Sequence, residues 1–284
     1  MKRILLILSI LSIALTGNAQ LQQMWLGGQT GGGGAGTNLD GYSFDAVYAL
    51  ENLYSSWVGN DVVLVRRISD NTESGFTSTE VSDGTLASFC TGTNCVVKTI
   101  YDQSGNTNDV IQTSASLQPL IAVSGTVLTS NGKPAIYFDG SNDQAVGSSE
   151  TAISVFVVAA NDGLTTANYV CSFPTAGIFW GGTSGSVSGI GMFDGSVIVQ
   201  SSVEDNNVHL GSFKYASSAT VHVDGALEAS GSLAAGVTGN VTLGSRGGLL
   251  YFKGYFSMAA ISSTDQSSNR SAIETIINSI YSIY

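Results

Sequence analysis

The chain has 284 residues, with 10 Lys and Arg against 21 Asp and Glu, a net charge of −11 and an apolar fraction of 43%. Such a charge repels DNA, RNA and anionic lipid, which argues against nucleic acid as a partner. Charged residues are only 11% of the chain, little material for exposed helices, while neutral partners such as sugars stay compatible.

The chain opens MKRILLILSILSIALTGNAQ, in which Lys2 and Arg3 precede an apolar run from Ile4 to Leu15, and Gly17 and Ala19 supply small residues before Gln20. This pattern predicts a secretory signal peptide over 1–19, too short for a membrane span. No Cys stands near the cut, which argues against lipoprotein processing, and no later stretch is apolar for long enough to cross a bilayer. The expected location is secreted, extracellular or at the cell surface. Residues 20–41 contain GGQTGGGGAG and read as a Gly-rich flexible leader. With no internal repeat and no Pro-rich linker afterwards, 42–284 is expected to be a single domain.

In SFDAVYALENLYSSW, the residues Phe44, Val47, Tyr48, Ala49, Leu53, Tyr54 and Trp57 mostly follow i, i+3, i+4 spacing. The spacing predicts a helix near 44–57 with Ser43 as its N-cap. From Asp61 the pattern turns β. DVVLVRRIS, CVVKTIYD, PAIYFDG and AISVFVVAAND each end in Asp, Asn or Gly turn chemistry. Asp194-Gly195 and Asp224-Gly225 stand between alternating apolar runs, a strong hairpin signal. NVTLGS and LYFKGYFSMAAIS complete the series. Many short strands about ten residues apart imply an all-β fold, an antiparallel sandwich or jelly roll. The last segment differs. Ile273, Ile276, Ile277, Ile280, Tyr281 and Tyr284 fall on one helical face, and Ser271 with Glu274 matches a capping box. A second peripheral helix is expected near 268–282.

Cysteine usage fits export. FCTGTNC places Cys90 and Cys95 around a small polar loop, suited to a disulfide in an oxidising compartment. Zinc is the rival reading, but it lacks a second ligand pair. Cys171 is left over and reads as a buried thiol.

Side chains with chemical potential cluster in TIYDQSGNTNDVIQ. Asp102, Gln103 and Asn106 are candidate ligand contacts. The same residues also suit Asx-type turns, with Asp102 accepting backbone N–H groups and Gly105 permitting positive φ; this is the favoured reading. Asp102, Asp139 and Asp143 are oxygen donors for a possible calcium ion, against a solvated turn as the alternative; no other cofactor is implied. Trp180, beside a Gly-rich loop, is the candidate sugar-stacking ring, with a core position as the equal alternative. A Ser202, His209, Asp224 triad lacks a nucleophile-elbow sequence.

The stretch from Ala46 to Pro119 carries AVYALENLYSSWVGNDVVLVRRISDNTESGF, FCTGTNC and IYDQSGNTNDVIQT in order, and NGKPAIYFDGSND follows. It resembles the catalytic domain of family 54 α-L-arabinofuranosidases, the arabinofuranosidase B type. The resemblance implies a concanavalin A-like β-sandwich, and hydrolysis of terminal arabinofuranose with retention by a Glu nucleophile and an Asp acid. The second half is similar in general to laminin-G-like sandwiches, which bears on fold alone. Three features of the implied site are missing. Leu249 follows Gly247-Gly248, where the family has its general acid. SVIVQSSVEDNN has Gln200 and Ser202 on the strand, with Glu204 and Asp205 only in the turn after it. Cys171 is followed by Ser172 in place of a vicinal Cys pair. The reading is therefore a glycan-binding or adhesion module with neutral polysaccharide as partner. The alternatives are an active arabinofuranosidase, with Glu204 or Asp205 as nucleophile and Asp194 as acid, and a self-associating surface or fibre protein.

Overall fold

The computed structural model describes residues 37–163, 168–181 and 189–284. The segments read as a signal peptide and most of the Gly-rich leader lie outside the described residues. No described helix is long and apolar enough to cross a membrane.

The expected antiparallel sandwich is present. In one sheet, the long strand Lys253–Ser262 carries Ala46–Ala49 and Ile136–Asp139 along one edge and Ser154–Asn161 along the other. Val208–Lys214, Ala219–Val223 and Ala226–Gly231 extend it. The second sheet runs Glu73–Thr77, Asp61–Arg67, Cys95–Ile100, Val110–Ile111, Ala145–Ala152 and Val237–Leu243. It continues through Tyr169–Ser172, Gly177–Trp180, Ile190–Phe193 and Ile198–Gln200. Leu120–Val123 pairs with Cys95–Ile100 and with Ile136–Asp139, joining the sheets at one corner. Both Asp-Gly signals are hairpin turns, closing on Phe193↔Ile198 and Val223↔Ala226.

One hydrophobic cluster fills the space between the sheets, drawing Val155, Val157, Phe213 and Ile261 from the first and Val63, Val97, Ile178 and Leu243 from the second. The first sheet is covered on its outer face as well. Phe156, Val158, Leu210 and Met258 point away from the sandwich and pack against Ile273, Ile276, Ile277 and Tyr281 of the C-terminal helix Arg270–Tyr281. Burial on two faces explains why VFVVAA, between Ser154 and Asn161, is continuously apolar where a half-buried strand would alternate.

The helix expected near 44–57 is not formed. Ala46–Ala49 is a strand and Ser55–Trp57 a single 3-10 turn. Ala46 and Tyr48 face the sandwich core while Val47 and Ala49 face the C-terminal helix. A short run buried on both sides has no polar face, so its period does not separate helix from strand. Ser43 caps no helix; its carbonyl accepts from Ser262 and Gln266. The C-terminal helix is present, but its N-cap is Asn269 without a side-chain cap. The proposed Ser271–Glu274 box is not made, because Ser271 lies inside the helix and Glu274 pairs with Arg270. Two short helices that were not expected, Ser78–Ser82 and Thr85–Phe89, are also present; the first has a capping box between Thr77 and Glu80. Cys90 and Cys95 form the expected disulfide.

Candidate functional site

A polar cleft of about 660 Å³ lies where the ends of Ser154–Asn161, Val208–Lys214 and Lys253–Ser262 meet the Thr129–Ser130 strand. Three elements supply its chemistry. Asn161 ends its strand beneath the cleft; it is only 2% exposed, and neither its Oδ1 nor its Nδ2 has a hydrogen-bond partner. The turn before Val208 brings Asn206 and Asn207, and the Asp224 hairpin closes one wall. Tyr255 brings a half-buried ring, tilted against Tyr137 at 5.1 Å between centroids. Tyr137 in turn donates its hydroxyl to Asp162 Oδ2 at 2.8 Å.

His209 stands in this wall between two carboxylates. Its Nδ1 lies 2.7 Å from Asp224 Oδ2 and its Nε2 lies 2.8 Å from Asp205 Oδ1. Burial disfavours the imidazolium, but hydrogen bonds to Asp224 and Asp205 outweigh it and raise the pKa above the ordinary histidine value. Asp205 is also partly desolvated, and its bonds from His209 and the Asn207 N–H hold its pKa below the usual carboxylate range. Both ring nitrogens are occupied by acids. The Ser202 triad is therefore not assembled: the ring that would take a serine proton is engaged on both sides.

The DQSGN loop belongs to the fold. Asp102 is fully buried. Its Oδ1 accepts the N–H groups of Val47 and Ser104, and its Oδ2 accepts the Ser104 hydroxyl and the Asn108 N–H. Gln103 accepts from Leu53 N–H and donates to the Ala49 and Glu51 carbonyls. Asn106 donates to the Phe44 and Asp45 carbonyls, and Gly105 takes φ 88° at the turn. These residues stitch the loop to the Ala46–Ala49 strand and leave Asp102 and Gln103 no polar face for a ligand.

The calcium candidates are engaged in the fold in a similar way. Asp139 caps its own turn at Ser141, Asp143 accepts from the Asp139 N–H, and Asp102 is spent as described. No group of three His, Cys, Asp or Glu among the described residues is arranged to hold a metal. Trp180 is a core residue, 1% exposed and edge-on to Phe213. Gly211 makes room for it, since a Cβ there would meet Phe213 at 2.6 Å and Trp180 at 3.0 Å.

The fallback acids stand in turns. Asp194 accepts the N–H groups of Ser196, Val197 and Ala234; its small desolvation is outweighed by these bonds, and its pKa is lowered. Glu204 is exposed, next to Asp205. Around the place the resemblance assigns to a sugar pocket, Cys171 is wholly buried and burial pushes its thiol up to about 12. The Ser172 hydroxyl donates to the Ser245 carbonyl. Arg246 lies 4.7 Å over the rings of both Tyr169 and Phe193 and donates to the Tyr169 hydroxyl. Leu249, after the glycine pair, is 74% exposed.

Sequence reasoning did not find the cleft. Asn161, Asp162, Asn206 and Asn207 each sit where a strand gives way to a turn, and in sequence they have the chemistry of ordinary turn residues. Only the pairing of strands distant in sequence brings them together.

Comparison with known proteins agrees with this picture in part. The family described as alpha-L-arabinofuranosidase B, catalytic, matches residues 43–168, less than half of the chain. The match thus ends before Gln200, Ser202 and Leu249, the positions to which the sequence resemblance assigns the two acids. Among solved structures, an arabinofuranosidase complexed with arabinofuranosyl-α-1,2-xylobiose is 17% identical, with a TM-score of 0.59 over 82% of this chain and 62% of that one. A family 54 arabinofuranosidase with glutamate changed to glutamine, soaked with 4-nitrophenyl α-L-arabinofuranoside, gives the same values. Another, soaked with a cyclic sulfate inhibitor, is 18% identical with a TM-score of 0.57. The chain spans less than two thirds of the length of those proteins, and at such identity the likeness shows a shared fold. No curated protein sequence matches the chain. The chain has an arabinofuranosidase-like β-sandwich.

Proposed function

We propose that this protein is an exported module that binds neutral glycans on an arabinofuranosidase-like scaffold and does not hydrolyse them. The observation that carries the reading is the state of the positions to which the sequence resemblance assigns the two acids. Leu249 is an exposed apolar residue at one, Gln200 and Ser202 stand at the other, and Arg246 is clamped over Tyr169 and Phe193 close by. A retaining glycosidase needs two carboxyl groups about 5–5.5 Å apart, one of them a proton donor with raised pKa. The fallback acid runs against that. Asp194 is held below the usual carboxylate range by the N–H groups it accepts, which makes it a poor general acid near neutral pH.

Export is supported by the Cys90–Cys95 disulfide, which persists in oxidising compartments. A glycan partner is supported by the company the fold keeps and by the polar, amide-rich cleft. The test is release of nitrophenol from 4-nitrophenyl α-L-arabinofuranoside by the purified protein, beside Glu204→Gln. The expected rate is that of the buffer blank for both. Turnover that disappears in Glu204→Gln would overturn the reading.

A further inference from the structure

We propose that the cleft above Asn161 binds a neutral saccharide, with Tyr255 as the stacking face and Asn206, Asn207 and Asp162 as hydrogen-bonding partners. The proposal rests on the glycan-binding reading and gives it a place in the molecule. That place shares no residue with the Cys171, Arg246 and Leu249 region to which the enzyme resemblance points.

Size comes first. A volume of about 660 Å³ falls within the roughly 300–1,000 Å³ of small-molecule sites. The second observation is the lining: Asn206 and Asn207 are exposed on the wall of the cleft and bring carboxamides, which both donate to and accept from hydroxyl groups. The third is Tyr255. Its ring is half-buried and packs beside the cross-strand Tyr137, which is fixed by its bond to Asp162. A rigid aromatic face with polar groups around it suits the C–H face and hydroxyl rim of a sugar ring.

The lining also selects ligand chemistry. Asn131, Asn161, Asn206, Asn207, Asp162 and Asp224 would be stripped of water by an apolar ligand without compensation. An anionic sugar would meet Asp162, Asp205 and Asp224. Of the cations there, Lys253 stands 3.7 Å from Asp162, and His209 is engaged by the other two acids. Neutral hydroxyl-rich ligands remain.

The experiment is affinity electrophoresis of the purified protein in gels containing arabinan, arabinoxylan, galactomannan or mixed-linkage β-glucan, with polygalacturonate as the anionic arm. Wild type is expected to be retarded by at least one neutral polymer and not by polygalacturonate. Tyr255→Ala and the surface variant Asn206→Ala should each weaken that retardation about tenfold or more at an unchanged unfolding midpoint. Arg246→Ala should bind as wild type. If wild type is retarded but Asn206→Ala and a folded Tyr255→Ala bind equally well, or Arg246→Ala alone loses binding, the cleft is wrong while glycan binding stands. Retardation by polygalacturonate alone overturns the neutral class. No retardation by any polymer overturns the glycan-binding reading and the cleft with it.

Discussion

One carboxylate, Asp102, serves four donors from three different residues beneath the Ala46–Ala49 strand. Asp102→Ala leaves the Val47 and Asn108 N–H groups unpaired in a buried setting, and the expected loss is about 3 kcal/mol or more, read from the urea midpoint at unchanged slope. His209 makes a pH-dependent contribution. Its folded pKa is raised by Asp224 and Asp205, so this stabilisation is full below the ordinary histidine value of about 6.5 and is lost as pH rises through the folded pKa. NMR titration should find the His209 pKa above 6.5 in wild type and lower in Asp224→Asn. Asp143 behaves in the opposite sense to an ion-paired acid. Burial pushes its carboxyl up to about 6, so folding favours the protonated form and stability falls as pH rises through that value. Asp143→Asn, which keeps an acceptor for the Asp139 N–H, should match wild type near pH 4. At pH 8 it should be more stable, by up to roughly 3 kcal/mol. At this scale the sequence was legible where a residue's partners lie within its own turn, as for Gly105 and for Ser104 on Asp102. It was not legible for Trp180, whose burial depends on the absence of a side chain at Gly211, on a strand far along the chain.

The elements were read correctly where a single face decides them. The C-terminal helix packs Ile273, Ile276 and Ile277 on the sheet through a regular stripe, and that stripe is visible in the sequence. Ile277→Ala is expected to cost about 2–5 kcal/mol, checked by chemical unfolding, since the side chain is fully buried against the outer face of the sheet. Ala46–Ala49 was misread because the same helix covers it from outside while the sandwich core covers it from within. The Thr77–Glu80 capping box went unread because the helix it begins has only five residues, too short to show a period. The Asp-Gly hairpins were legible because their chemistry is local to the turn.

At the scale of the whole molecule, the sandwich follows from a series of short strands whose turns are written in Asp, Asn and Gly. The candidate site does not follow in that way. It forms where strand ends at residues 161, 208 and 255 converge with the 129–131 segment and the 224 turn, a meeting that sheet order creates and no local pattern announces. The fold is shared with arabinofuranosidases, while the positions to which the sequence resemblance assigns the acids hold Leu249, Gln200 and Ser202. The central claim is therefore binding without turnover. It is tested most directly by incubating the protein with insoluble arabinoxylan and following free arabinose in the supernatant over time. The account predicts a flat arabinose trace with the protein retained in the pellet. Arabinose that rises steadily with time and with protein concentration would contradict it.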